Sequence, residues 1–283
     1  MFMSRNSAIF LLVSIFLLAQ LVGLFFISQS VDEVGEFGET IIERPQTSGL
    51  ESLIFITIGI AIGTLLLIFL ANRNKKNWWK AWFFVANFLA VSLALGVFFA
   101  DTWLFLLALL VVLIRFYTHN LWINNFTELL MYSGVAVFLV PILNVPIMII
   151  GLVLISFYDM YAVWKSKHMV KIAQFALDSK YFPGITLGKK QNKSKKSDKK
   201  VPSVLGGGDI IFPLLFSGVV FSSLVSLGLS FPKSLGLSLF IPVFAALGLG
   251  ALLIYGKKNA FYPAMPPIAV GSFCGYLVIL LLL

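Results

Sequence analysis

Long apolar runs, each bounded by charged or turn-forming residues, recur along the chain from Ser7 to Leu283. They predict helices over 7–28, 52–71, 79–99, 102–117, 126–143, 146–164, 208–230, 235–255 and 260–283. Most are long enough to cross a hydrocarbon core of ~30 Å at ~1.5 Å per residue. A barrel strand would alternate apolar and polar positions, whereas Leu104 to Ile114 is apolar throughout. Only helices or closed barrels satisfy every backbone group in lipid, so the fold class is all-α: a polytopic membrane protein of about nine transmembrane helices. The first run lacks a small-residue cleavage site and reads as a span rather than a signal peptide.

One sizeable polar stretch interrupts this pattern, between the sixth and seventh runs. It opens with Met169, Ile172, Ala173, Ala176 and Leu177 at helical spacing, with Lys167, Lys171, Gln174 and Asp178 on the other face. That spacing predicts an amphipathic helix lying on the membrane surface. Pro183 and Gly184 break it, and Lys189 to Lys200 is too polar to fold, a positive linker near anionic lipid. The chain therefore divides into a six-helix part (1–164), a cytosolic loop (165–203) and a three-helix part (204–283).

Composition agrees: 59% of the residues are hydrophobic and 12% charged, against roughly half and a quarter in a soluble domain. The net charge of +9 does not point to nucleic acid, because the basic residues cluster between apolar runs. Alternating the loops places all but Arg44 and Lys233 of the 21 basic residues on one side, which predicts a cytosolic N-terminus and an external C-terminus. The single cysteine, Cys274, has no internal partner for a disulfide.

Of the 12 acidic residues, most fall in loops. Asp101 sits in a tight turn and Glu128 beside Asn124 and Asn125 at a cytosolic edge. Two remain within spans. Asp159 precedes Lys165 by six residues, about 9 Å inside the boundary at 1.5 Å per residue. Asp209 opens the seventh run after Gly206-Gly207-Gly208. A carboxylate inside a span costs about 2.5–3.5 kcal/mol on insertion scales and marks a wet cavity or a function. The chain leaves the membrane after Asp159 and returns just before Asp209, so both acids reach similar depth on neighbouring antiparallel helices. Like charges at close range cannot both ionise, so such a pair shares one proton. One acid then serves as general base on a water while the other hydrogen-bonds a scissile carbonyl.

The flanking residues suit a site here. Three glycines before Asp209 permit unwound backbone and close approach of a second chain. Pro213 lacks the N–H that would bond the Asp209 carbonyl. Tyr262-Pro263-Ala264-Met265-Pro266-Pro267 resists regular helix at the start of the ninth run. Irregular backbone at membrane depth is tolerated beside protein or a watery cavity, where it could hold an extended substrate by strand-like pairing.

Tyr158-Asp159, the Gly-x-Gly-Asp motif Gly206-Gly207-Gly208-Asp209 and the Pro-Ala-x element Pro263-Ala264-Met265, in this order on these helices, resemble the presenilin and signal peptide peptidase family of intramembrane aspartyl proteases. The resemblance spans essentially the whole chain. It implies catalytic roles for Asp159 and Asp209, and substrate-positioning roles for Tyr158, Gly206, Gly208, Pro263, Ala264 and Met265. Met265 stands where the family usually carries Leu, a swap of similar size. The resemblance implies no cofactor and no metal, and transmembrane-helix proteins as substrates. The minimal loops resemble archaeal members, which implies the plasma membrane of an archaeon, no accessory subunit and room for a homo-oligomer. The predicted orientation matches presenilins, since signal peptide peptidases are inverted.

A transporter or channel also uses intramembrane acids and broken helices, but it predicts inverted repeats with paired breaks, and the sequence shows none. A prepilin-peptidase-like enzyme would carry a basic residue soon after the motif, where Ile210-Ile211-Phe212-Pro213 stands. Serine or metal chemistry lacks histidine: His119 and His168 lie at cytosolic edges, with no His-Glu-x-x-His pattern.

Overall fold

The computed structural model describes residues 5–32, 36–39, 49–99, 102–118, 120–166, 168–187, 203–256 and 262–283. The predicted linker at 189–200, the turn at Asp101, His119, Lys257, Lys258 and part of the acidic outer loop lie outside the described residues. The helices are α1 (Arg5–Gln29), α2 (Leu50–Asn72), α3 (Lys76–Leu95), α4 (Trp103–Thr118), α5 (Leu121–Leu139), α6 (Val145–Met160), α7 (His168–Ser179), α8 (Gly207–Ser226), α9 (Phe231–Ser238), α10 (Phe240–Tyr255) and α11 (Met265–Leu282). Between α7 and α8 lie two short strands, β1 (Gly184–Leu187) and β2 (Ser203–Gly206). Among the described residues eight helical segments are long and apolar enough to span a membrane, and α4 is a shorter apolar helix.

Three boundaries move for local reasons. The fifth helix starts at Leu121 rather than 126, because Asn120 caps it by accepting from the Trp122 N–H at 3.0 Å. Glu128 is consequently buried inside a helix rather than placed at its edge, a third intramembrane acid. The eighth span divides into α9 and α10 at Leu239. Pro242 has no N–H for the Ser238 carbonyl, which weakens the helix at the junction. The ninth starts at Met265, inside the proline run, since Pro266 and Pro267 fit the first turn, where no N–H partner is needed.

Helix α8 is the centre of the bundle and packs against α1, α5, α6, α10 and α11. Its Leu214, Phe216 and Phe221 are fully buried. Helix α11 approaches α10 closely because Gly271 and Gly275 carry no Cβ; an ideal one would lie 2.2 Å and 2.5 Å from the Phe244 and Phe240 carbonyl oxygens.

Helix α7 forms where the apolar spacing predicts it. Its face is Ile172, Phe175 and Ala176, and this buried face rests on protein rather than on lipid alone. Phe175 meets the Trp79 ring at 6.4 Å, and the Trp79 indole donates to the Tyr181 carbonyl at 3.0 Å. The strands that follow form an antiparallel ribbon pairing Gly184 with Gly206 and Thr186 with Val204. The sequence pattern reads this stretch as loop, because each strand spans four residues. It seats the residue before Gly207 on a fixed edge of backbone instead of in a flexible turn.

Candidate active site

Helix α6 delivers Asp159 in its last regular turn, after which the backbone widens into a π turn over Tyr161–Lys165. The Ser166 N–H reaches the Tyr161 carbonyl at 3.0 Å across that turn. Such a bulge re-aims side chains and often marks functional positions. Asp159 is 9% exposed, and its carboxylate accepts from the Met265 N–H at 3.1 Å and from the Ala264 backbone. Ala264 is the cap and Met265 the first residue of α11, so neither N–H has an intrahelical acceptor that competes with the carboxylate.

Asp209 is the third residue of α8 and half-buried. Gly206 caps that helix in extended conformation, with φ −65° and ψ 149°, and its N–H donates to the Asp209 carboxylate. Helices α6 and α8 pack together, and the two carboxylates lie within range of direct charge–charge interaction. Among the described residues no basic side chain forms an ion pair with either aspartate. Pro213 is buried inside α8 and leaves the Asp209 carbonyl without its helical donor.

The predicted residues thus separate into two groups. Asp159, Ala264 and Met265 meet directly, Pro263 is buried beside them in the chain, and Gly206 meets Asp209. Gly208 is exposed, with only the Phe212 ring 3.8 Å from where its Cβ would lie. Met265 acts through its backbone N–H, while its side chain is 3% exposed in the α11 packing. Tyr158 turns away from the aspartates: its hydroxyl meets His168 Nε2 at 3.0 Å, and Ser166 meets His168 Nδ1 at 2.6 Å. Burial holds the His168 imidazole below its usual pKa.

Other residues near the site carry no motif. Gln20 of α1 is fully buried and donates to the Ile210 carbonyl at 2.8 Å, steadying the turn that Pro213 loosens. A glutamine inside an apolar run is its one sequence signal. Glu128 accepts from Arg115, from the Tyr132 hydroxyl and from the Gly184 N–H, and Arg115 also donates to Asn87.

No family model matches the chain, and no curated protein matches it. Solved structures do. The C222 crystal form of a presenilin family intramembrane aspartate protease superposes with a TM-score of 0.61 at 18% identity, covering 94% of each chain. The P2 form of such a protease gives 0.60 at 22% identity, over 95% of this chain and 97% of that one. The chain has a presenilin-like fold. In this presenilin-like bundle the two aspartates lie on adjacent helices that flank the polar loop, with the Pro-Ala-Met segment against the first of them.

Proposed function

We propose that the protein is an intramembrane aspartyl protease that hydrolyses peptide bonds within transmembrane segments of single-span proteins. The observation that carries this reading is the uncompensated acid pair: Asp159 and Asp209 interact through charge on packed helices, with backbone N–H groups as their partners. A lone pair of acids retained in lipid without a cation has little structural use. One carboxylate takes a proton from water as it attacks the scissile carbonyl, while the other donates to the carbonyl oxygen. No metal or cofactor enters this scheme.

Gly206 and Gly208 leave room for a substrate backbone beside Asp209, and Pro263, Ala264 and Met265 set the opposite wall at Asp159. A helical substrate hides its peptide bonds, so it unwinds before cutting. The ribbon beside Gly206 offers extended backbone to which the unwound segment pairs. Charge asymmetry puts the site near the cytosolic face, with substrates whose N-terminus is outside. The protein acts alone or as a homo-oligomer, without accessory subunits, in the plasma membrane of an archaeon.

Purified protein in detergent is expected to cut a model transmembrane substrate with a bell-shaped pH profile whose limbs belong to the pair. Loss of cutting in Asp159→Ala and in Asp209→Ala, each with its helical content and melting temperature kept, supports the dyad; full activity in either refutes it. Tags on both termini, tested for protease access in sealed vesicles, check the orientation. An external N-terminus overturns it.

A further inference from the structure

One face of α5 touches the site from behind. Asn125, Glu128 and Tyr132 follow one another at i, i+3 and i+7, so they form a polar stripe along the helix. Each reaches a different part of the backbone that leads into Asp209. The Asn125 side chain donates to the Thr186 carbonyl at 3.2 Å and accepts from the Thr186 N–H at 3.1 Å. That pair of bonds occupies the edge of β1 that β2 does not use. Glu128 takes the Gly184 N–H at the other end of the same strand. The Tyr132 hydroxyl abuts Gly207, where an ideal Cβ would lie 2.9 Å from it. Gly207 in turn donates to the Pro183 carbonyl at 3.1 Å, closing the ribbon onto α8.

The stripe is itself anchored. Glu128 is fully buried and Arg115 of α4 is 4% exposed, and the two form an ion pair. Arg115 also donates to Asn87 of α3, whose amide donates to the Phe83 carbonyl at 2.7 Å, and its guanidinium lies 4.8 Å from the centre of the Phe83 ring. Helices α3, α4 and α5 are therefore joined through Arg115. A buried, fully bonded network of this kind holds a single arrangement, because any slippage leaves a charge unpaired in a low dielectric.

We propose that Arg115, Glu128, Tyr132 and Asn125 are positioning residues for the protease site, fixing the ribbon and the Gly206–Gly208 turn so that Asp209 faces Asp159. Asn125 has a second consequence: with β1's outer edge taken, an extended substrate pairs only along β2, which ends at Gly206 beside Asp209. The inference rests on the protease reading and adds the residues that set its geometry and its cutting register.

The test uses the full chain in lipid nanodiscs with a model transmembrane substrate, reading kcat, KM, melting temperature and cut positions by mass spectrometry. Tyr132→Phe keeps the ring and removes the hydroxyl at Gly207. It is expected to lower kcat roughly 10-fold, the scale on which small misplacements of reacting groups act, with KM unchanged, and to lower the melting temperature modestly, because buried Glu128 loses one donor. Asn125→Ala is expected to add cut positions, because β1's edge becomes free to pair. Wild-type kcat in Tyr132→Phe together with wild-type cut positions in Asn125→Ala overturns the inference while leaving the protease intact. A fall in melting temperature alone, with kcat of the folded fraction unchanged, also overturns it, because packing then suffices. A wild-type protein that cuts nothing, or an Asp209→Asn variant that still cuts, removes the protease reading itself and the inference with it.

Discussion

The protein keeps acids inside the membrane in two different ways. Glu128 is answered by Arg115, by the Tyr132 hydroxyl and by the Gly184 N–H, so its charge has a full set of partners. Asp159 and Asp209 are answered only by backbone N–H groups and by each other, with no cation in an ion pair among the described residues. The first arrangement suits a fixed strut, and the second leaves proton-exchange capacity unspent. The difference teaches that an acid's partners, rather than its depth or residue type, set these two sites apart.

The largest expected effect lies on the uncompensated side. Asp159→Ala and Asp209→Ala are each expected to lower cleavage roughly a thousandfold or more, as loss of a general acid or base does, with little change in melting temperature. Next comes the compensated side, with the opposite signature. Arg115→Ala leaves Glu128 buried and unpaired, which costs about 3–5 kcal/mol and is read as a large drop in melting temperature. Pairing Arg115→Met with Glu128→Leu removes both charges and is expected to restore most of that loss. If Arg115→Ala instead unfolds nothing and Asp209→Ala unfolds the protein, the comparison is reversed.

A smaller effect sharpens the boundary between the two sides. Gln20→Leu removes a neutral hydrogen bond to the Ile210 carbonyl and is expected to cost about 1 kcal/mol of stability. Because that carbonyl sits one residue after Asp209, kcat should fall severalfold as well. The smallest effect concerns His168. Burial disfavours its proton in the folded state, so the unfolded chain binds protons more readily below about pH 6.5. Stability is thus present above that pH and is lost as pH falls. His168→Gln should flatten this slope in melting curves between pH 7.5 and 5, without altering the pH profile of cutting.

Hydrophobicity by itself says little about burial here. Of the most apolar stretch of α2 only 6% is buried, against 67% of that of α8. Lipid is as apolar as Leu and provides no gradient that drives one span inward over another. Contact with small residues and polar anchors decides instead, as Gly271 and Gly275 do for α11 and Gln20 does for α8.

What the sequence by itself determined follows from local physics. In lipid an apolar run has no choice but to be helical, so the spans, the amphipathic α7 and the break at Pro183 are legible from residue order. Asp159, Asp209, Gly206 and the Pro263–Met265 segment are legible too, because acids, glycines and prolines are costly in spanning helices wherever they occur. Tertiary structure alone decided the rest. The bond from Met265 to Asp159 joins residues 106 apart in sequence. The ribbon pairs two four-residue strands separated by a polar linker, too short to show a period. Arg115 and Glu128, 13 residues apart, read separately as a cytosolic cation and an edge acid, and only the packing of α4 on α5 makes them one buried pair. Charges are recognised as partners by distance in space, and sequence carries no measure of that distance until the helices are packed.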